Sequence, residues 1–119
     1  MYATARNQVL RAIGKISGIG VVANTSMDLR QGGRVADEYS LMVKGYTMQH
    51  APTVPTALMG DLEGSLDGVY FTSIQHFTEA NDGVVLSVAN LPFQMLRINV
   101  TTFTPAVAGD YVTVSLLCA

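Results

Sequence analysis

The chain of 119 residues has no tryptophan, one cysteine, two histidines and little charge. With Cys118 alone, no internal disulfide can form, so a packed core has to hold the fold. A chain of this length buries about two-thirds of its unfolded surface, which suffices for a single domain without cross-links. A lone cysteine on a terminal strand reads as a small apolar filler, and its solitude suits assembly in a reducing compartment. No apolar run reaches the roughly 18 residues of a membrane helix. The opening Met1-Tyr2-Ala3-Thr4-Ala5-Arg6 lacks the apolar centre of a signal peptide, so no membrane or secretory route is expected. The sequons at Asn24-Thr25-Ser26 and Asn99-Val100-Thr101 are discounted on that ground.

Charge is scarce as well. Charged residues make up 13% of the chain and hydrophobic ones 49%, against about 25% charged in an ordinary soluble domain. Such a surface is expected to be coated partly by Thr, Ser, Gly and Gln and covered partly by other subunits, since permanent interfaces are depleted of charge. The few charges are segregated. Up to Lys44 there are six bases (Arg6, Arg11, Lys15, Arg30, Arg34, Lys44) and three acids (Asp28, Asp37, Glu38), a balance of +3. Beyond it Arg97 stands against Asp61, Glu63, Asp67, Glu79, Asp82 and Asp110, a balance of −5. This asymmetry can orient the molecule on a charged surface. With a net charge of −2 and no basic stripe interleaved with aromatics, nucleic acid is not an expected partner.

Constellations for chemistry are also missing. His50 and His76 are separated by 26 positions, with no cysteine nearby to complete a zinc site. Asp61, Glu63, Ser65 and Asp67 form an acidic cluster, but not in the pattern of a calcium loop. Glu63 and Asp67 lie four residues apart in an expected tight turn and lack the cleft that a pair of glycosidase carboxylates needs. No serine sits in a G-x-S-x-G elbow or an S-x-x-K pair. Gly18 and Gly20 form a G-x-G without a third glycine or a following helix. An enzyme is not expected, nor any metal or cofactor.

What the sequence has is alternation. Tyr39, Leu41 and Val43 alternate with Ser40, Met42 and Lys44. The same period of two recurs in Val84–Leu86–Val88, Leu96–Ile98–Val100 and Val112–Val114–Leu116. Each run offers one face to a core and one to the exterior, because successive strand side chains point oppositely. Strands are expected at residues 18–23, 25–30, 37–47, 57–62, 69–77, 84–88, 96–103 and 110–118. Residues 48–56, with Pro52 and Pro55, form a surface loop, because proline cannot donate to a ladder. Asn81-Asp82-Gly83 signals a hairpin, and residues 96–103 and 110–118 form a final one. The expected architecture is all-β: an antiparallel β-sandwich, jelly-roll or Ig-like, over residues 18–119. Residues 1–17 are an N-terminal arm or a short helix. Val9, Leu10, Ile13 and Ile16 approach helical spacing, while Gly14, Gly18 and Gly20 oppose a long helix.

Three stretches carry a family signal. Leu62-Glu63-Gly64-Ser65-Leu66-Asp67-Gly68-Val69-Tyr70-Phe71 resembles a Gly-Ser-x-Asp-Gly hairpin closed by an aromatic in small β-sandwich proteins of tailed-bacteriophage structural modules. Leu96-Arg97-Ile98-Asn99-Val100-Thr101-Thr102, after Leu91-Pro92, is similar to a later strand of those proteins, and Tyr111–Leu116 to their terminal strand. Phe71 stands where tryptophan is expected, and it is expected to reach back into the core. The resemblance implies a non-enzymatic virion component, assembled in the host cytoplasm, typically a homotrimer. Its implied role is capsid decoration (cement), bound to the major capsid protein or other virion proteins. A neck, tail or baseplate part is a second role open to such a protein. A carbohydrate-binding appendage, with Tyr46, Tyr70 or Phe93 stacking on sugar, is a third.

On this reading subunits pair through apolar, charge-poor sheet faces. The basic segment with Arg6, Val9, Leu10, Arg11, Ile13 and Lys15 lies on neighbouring capsid subunits. Met42 and Met95, which share the outward parity of Lys44 and Arg97, join the interface.

Overall fold

The structure is a computed structural model that describes residues 10–23, 25–28, 38–89 and 95–118. Among the described residues nine strands run in chain order: β1 (Leu10–Ile16), β2 (Gly20–Val21), β3 (Met27–Asp28), β4 (Glu38–Tyr46), β5 (Ala57–Ser65), β6 (Thr72–Thr78), β7 (Val85–Ala89), β8 (Met95–Thr104) and β9 (Tyr111–Cys118). They form a four-stranded sheet in the order β1-β9-β4-β7 and a five-stranded sheet in the order β2-β8-β5-β6, with β3 also on β8. All strand pairs are antiparallel.

The pairings follow one rule. First pairs with last (β1 with β9), β2 and β3 with β8, β4 with β7, and β5 with β6. This is one long nested hairpin. Two further pairings, β4 with β9 and β5 with β8, roll it up so that alternate layers fall into opposite sheets. The result is the connectivity of a jelly roll, which selects between the two sandwich types expected.

The inward parities come out as the alternation requires in three of the four runs; in the fourth, Val84 precedes β7 and is exposed, and Leu86 is only partly buried. Tyr39, Leu41 and Val43 of β4, Val112, Val114 and Leu116 of β9, and Leu96, Ile98 and Val100 of β8 are all buried, joined by Leu58, Leu62 and Phe77. Each fully buried aliphatic side chain of this kind contributes roughly 1.5–3 kcal/mol. Cys118 is a core filler beside them. Its burial pushes the thiol up to about 12.

β2 and β3 lie end to end on the edge of β8, opposite Val100–Asn99 and Leu96–Met95. Between them the chain leaves the ladder, and fully buried Thr25 closes the gap. Its Oγ1 donates to the Val22 carbonyl (2.7 Å) and accepts from the Ile98 N–H (3.2 Å). A hydroxyl does there what a strand residue's backbone would otherwise do.

Several sequence expectations are corrected. Residues 10–16 are neither arm nor helix but an edge strand of the four-stranded sheet, paired with β9 over its whole length. Gly14, which reads as a helix breaker, faces inward. A Cβ there would lie 2.7 Å from Thr25 Cγ2 and 2.8 Å from Val22 Cγ1, so only glycine lets β1 close over the opposite layer.

Asn81-Asp82-Gly83 does not close a hairpin, since β6 and β7 belong to different sheets. Asn81 Oδ1 accepts from the Thr78 N–H at the start of a 3-10 turn, Glu79–Asn81. The Asp82 carboxylate takes the Gly45 N–H and the Lys44 ammonium, each at 2.7 Å. These bonds draw the chain across to β4 and into the other sheet. β8 and β9 likewise lie in different sheets and are not a hairpin. β5 continues through Glu63, Gly64 and Ser65 and β6 starts at Thr72, so the turn between them falls three residues later than expected, at residues 66–71. Phe71 is not in the core: the Arg97 guanidinium lies 3.8 Å from its ring centroid. Phe77 fills the core instead.

Candidate interaction surface

The two outer faces of the sandwich differ in kind. On the five-stranded sheet, Arg97 and Asn99 of β8 stand opposite Glu63 and Asp61 of β5. Arg97 Nε donates to Glu63 Oε1 at 2.8 Å, and Asn99 Nδ2 reaches Glu63 Oε2 at 3.5 Å. Asp61 Oδ1 accepts from Ser73 Oγ (2.7 Å) and lies 3.1 Å from His76 Nδ1. Cross-strand partners thus satisfy one another along this face.

The four-stranded sheet presents the opposite character. One cross-strand row reads Ile13, Ser115, Met42, Val85 across β1, β9, β4 and β7. The adjacent row brings Leu117, Ser40 and Ser87 side by side. Ile13 is 64% exposed, Val85 60% and Leu117 41%. Because Ser40 and Ser115 are short, a groove of about 140 Å³ opens between Met42, Val85 and Leu117, with Leu41 also lining it.

One row further, Lys15, Thr113 and Lys44 cross the same face. The Lys15 ammonium sits 4.6 Å from the Tyr111 ring centroid. Tyr111 packs against Tyr46 and receives His50, whose Nδ1 is 2.7 Å from its hydroxyl. The face therefore grades from aliphatic to aromatic and cationic.

Among the residues singled out from sequence, Ile13 and Lys15 meet Met42 on this surface. The basic segment and the apolar sheet face, expected as two separate contacts, are here one. Met95 lies on the other sheet, opposite Ser65 of β5, so it does not join Met42. Leu10 and Arg11 open β1 opposite Cys118 and Leu117. Arg6 and Val9 lie outside the described residues, as does Phe93.

Val85, Leu117 and Tyr111 complete the surface, and sequence reasoning does not single them out. The signal for the first two is a local break in alternation. Val84-Val85-Leu86 and Leu116-Leu117-Cys118 are continuous apolar runs, and each puts at least one apolar side chain outward.

The acidic residues beyond Lys44 have structural employment. Glu79 accepts from the Leu58 N–H, and Asp110 from the Val107 N–H. Asp67 Oδ1 accepts from the N–H groups of Val69 and Tyr70 and from Ser65 Oγ. These bonds, led by that of Tyr70, hold its carboxyl below the ordinary value of 3.8. Ser65 Oγ in turn accepts from the Asp67 and Gly68 N–H groups. Together they fix the β5–β6 turn, which carries Tyr70 at its exposed tip. Among the described residues no three His, Cys, Asp or Glu side chains gather as metal ligands. No helix among them is long and apolar enough to cross a membrane.

No family model matches the sequence, and no curated protein matches it. Among solved structures, the chain is similar to SPBc2 prophage-derived protein YomS, known from a crystal structure. The similarity covers 95% of this chain and 96% of that one, with a TM-score of 0.57 at 8% identity. At that identity the likeness is one of fold.

Proposed function

We propose that this chain is a non-enzymatic structural protein of a bacteriophage virion. In this role it decorates the assembled head as an oligomer, a trimer on the family resemblance, and stabilises the shell by bridging capsid subunits. One observation carries the reading: a single outer face that is apolar and grooved, opposite a face whose charges are satisfied internally. A contiguous exposed apolar patch rimmed by polar groups marks a surface that is covered in use. The shared fold with a prophage-derived protein supports the phage setting, and the scarcity of charge supports permanent burial in an assembly.

The experiment is reconstitution. Purified chain is added to heads assembled without it, the particles are sedimented, and bound copies are counted per particle. A decoration protein saturates at a number comparable to the capsid subunits, and the heads then resist heating or chaotropes better. A few copies per particle would move the protein to the neck, tail or baseplate. No binding would refute the virion-surface role. A second reading, a carbohydrate-binding appendage, draws its support from Tyr70, 80% exposed at the β5–β6 tip. A glycan-array screen with a Tyr70→Ala control tests it.

A further inference from the structure

We infer that the grooved face of the four-stranded sheet pairs with the same face of a second copy about a two-fold axis, and that Lys15 of each copy meets Glu38 of the other. The inference concerns the free chain and does not rest on the decoration reading, which leaves open what covers this face.

Charge and register carry the argument. By strand parity the face holds four charged residues: Arg11 and Lys15 on β1, and Glu38 and Lys44 on β4. Lys44 is held by Asp82 at 2.7 Å. Lys15 has the Tyr111 ring, and among the described residues no carboxylate lies within ion-pair distance of it. Glu38, opposite Ala89, opens β4 at the far end of the face and is the one acid at an outward position of these strands. Within one copy it cannot reach Lys15. Two strands and six rows lie between them, about 22 Å from backbone to backbone.

An isologous contact needs a patch in which each charge finds its opposite after a half-turn. The axis of that turn must pass midway between Lys15 and Glu38. Lys15 stands opposite Thr113 of β9, and Glu38 stands one row beyond Tyr39 and its partner Cys118. The midpoint therefore falls on β9 at the level of Leu116, between Ser115 and Leu117, both of which line the groove. A second copy requires that the apolar centre lie midway between the opposite charges, and a foreign partner would not. On the register grid the half-turn sets Met42 against Met42, Leu117 between Ser115 and Ile13, and Lys44 over Ser87. Arg11 opposes the pairing, because its positions in the two copies come together near the axis. Four strands and seven rows span about 19 Å by about 24 Å, a small interface suited to micromolar association.

Sedimentation equilibrium of the free chain, from about 1 μM to about 500 μM, tests the inference, with melting temperatures measured alongside to detect misfolding. Wild type is expected to be a reversible dimer. Lys15→Glu and Glu38→Lys should each weaken it by about tenfold or more, and the two together should return it to within about threefold of wild type. Ser115→Trp fills the groove and Val85→Asp charges an already exposed side chain; each should weaken the dimer by at least about tenfold at unchanged melting temperature. Arg11→Ser should strengthen it by about threefold.

A chain that stays monomeric across this range overturns the inference, and so does a trimer of the kind the family resemblance implies. A dimer that both groove variants leave intact, or a double reversal no tighter than the single ones, overturns it as well.

Discussion

Thr25→Val replaces a hydroxyl by a methyl of nearly the same shape, so any effect is that of two hydrogen bonds. In the native chain Oγ1 joins the Val22 carbonyl to the Ile98 N–H inside the sandwich, where Thr25 and Ile98 are both fully buried. The variant leaves the Ile98 N–H without this acceptor. The Val22 carbonyl keeps only the longer contact from the Thr25 N–H, at 3.4 Å. An unsatisfied buried group costs about 1–3 kcal/mol, so one full and one partial loss sum to about 2–4 kcal/mol. At roughly 2.1 cal/mol/K per residue, the unfolding entropy of this chain is about 250 cal/mol/K, and each kcal/mol lowers Tm by about 4 °C.

Thr25→Val is therefore expected to melt about 8–16 °C below wild type, with faster hydrogen exchange at the Ile98 amide. Thr25→Ser keeps the hydroxyl and loses only the methyl beside Gly14, for about 1 kcal/mol. Urea and thermal unfolding of the three proteins decide the matter. Thr25→Val within about 0.5 kcal/mol of wild type, or Thr25→Ser as costly as Thr25→Val, would refute the idea that this hydroxyl splices β2 and β3 into one edge.

Three further outcomes are expected. Gly60→Ala places a Cβ 2.5 Å from Phe77 Cζ and 3.0 Å from the Asn99 carbonyl; it should destabilise by about 1–3 kcal/mol in urea titrations, partly relieved by Phe77→Leu. Cys118, with its thiol pushed up to about 12 by burial, should resist alkylation in the native protein at mildly alkaline pH and react only as fast as the chain unfolds. Because the fold favours the neutral thiol, that contribution is lost as pH rises above the ordinary value of 9.0. Asp67 is shifted the other way. Its carboxyl lies below 3.8 in the folded chain, so the β5–β6 turn keeps its full support above that pH and loses it as pH falls below it towards the folded value. The Val69 and Tyr70 amide resonances should report the change, and Asp67→Asn should abolish it.

The layers were readable from sequence, and their connections were not. Inward positions of β4, β8 and β9 followed from period-two alternation, because burial on one face forces that pattern. Which strands share a sheet depends on pairs far apart in sequence, such as Leu10 with Cys118, and no local signal carries that. The Asn81-Asp82-Gly83 turn shows the difficulty. Its residues suit a hairpin, yet Asp82 is claimed by Lys44 and Gly45 from a strand 37 residues earlier. Gly14 misled for a related reason, since the demand for a missing Cβ comes from Val22 and Thr25 across the sandwich. Half of the candidate surface was legible in Ile13, Lys15 and Met42. The rest required knowing that β7 and β9 flank β4, which sets Val85 and Leu117 around Met42.

The placement of β9 between β1 and β4 has a consequence for biosynthesis. During translation β1 and β4 leave the ribosome with the slot between them vacant, and they have no pairing with each other. A nascent chain halted before Tyr111 cannot zip that sheet, so the grooved surface is not formed on it. That surface thus arrives late and all at once, as expected for a topology of long-range contacts.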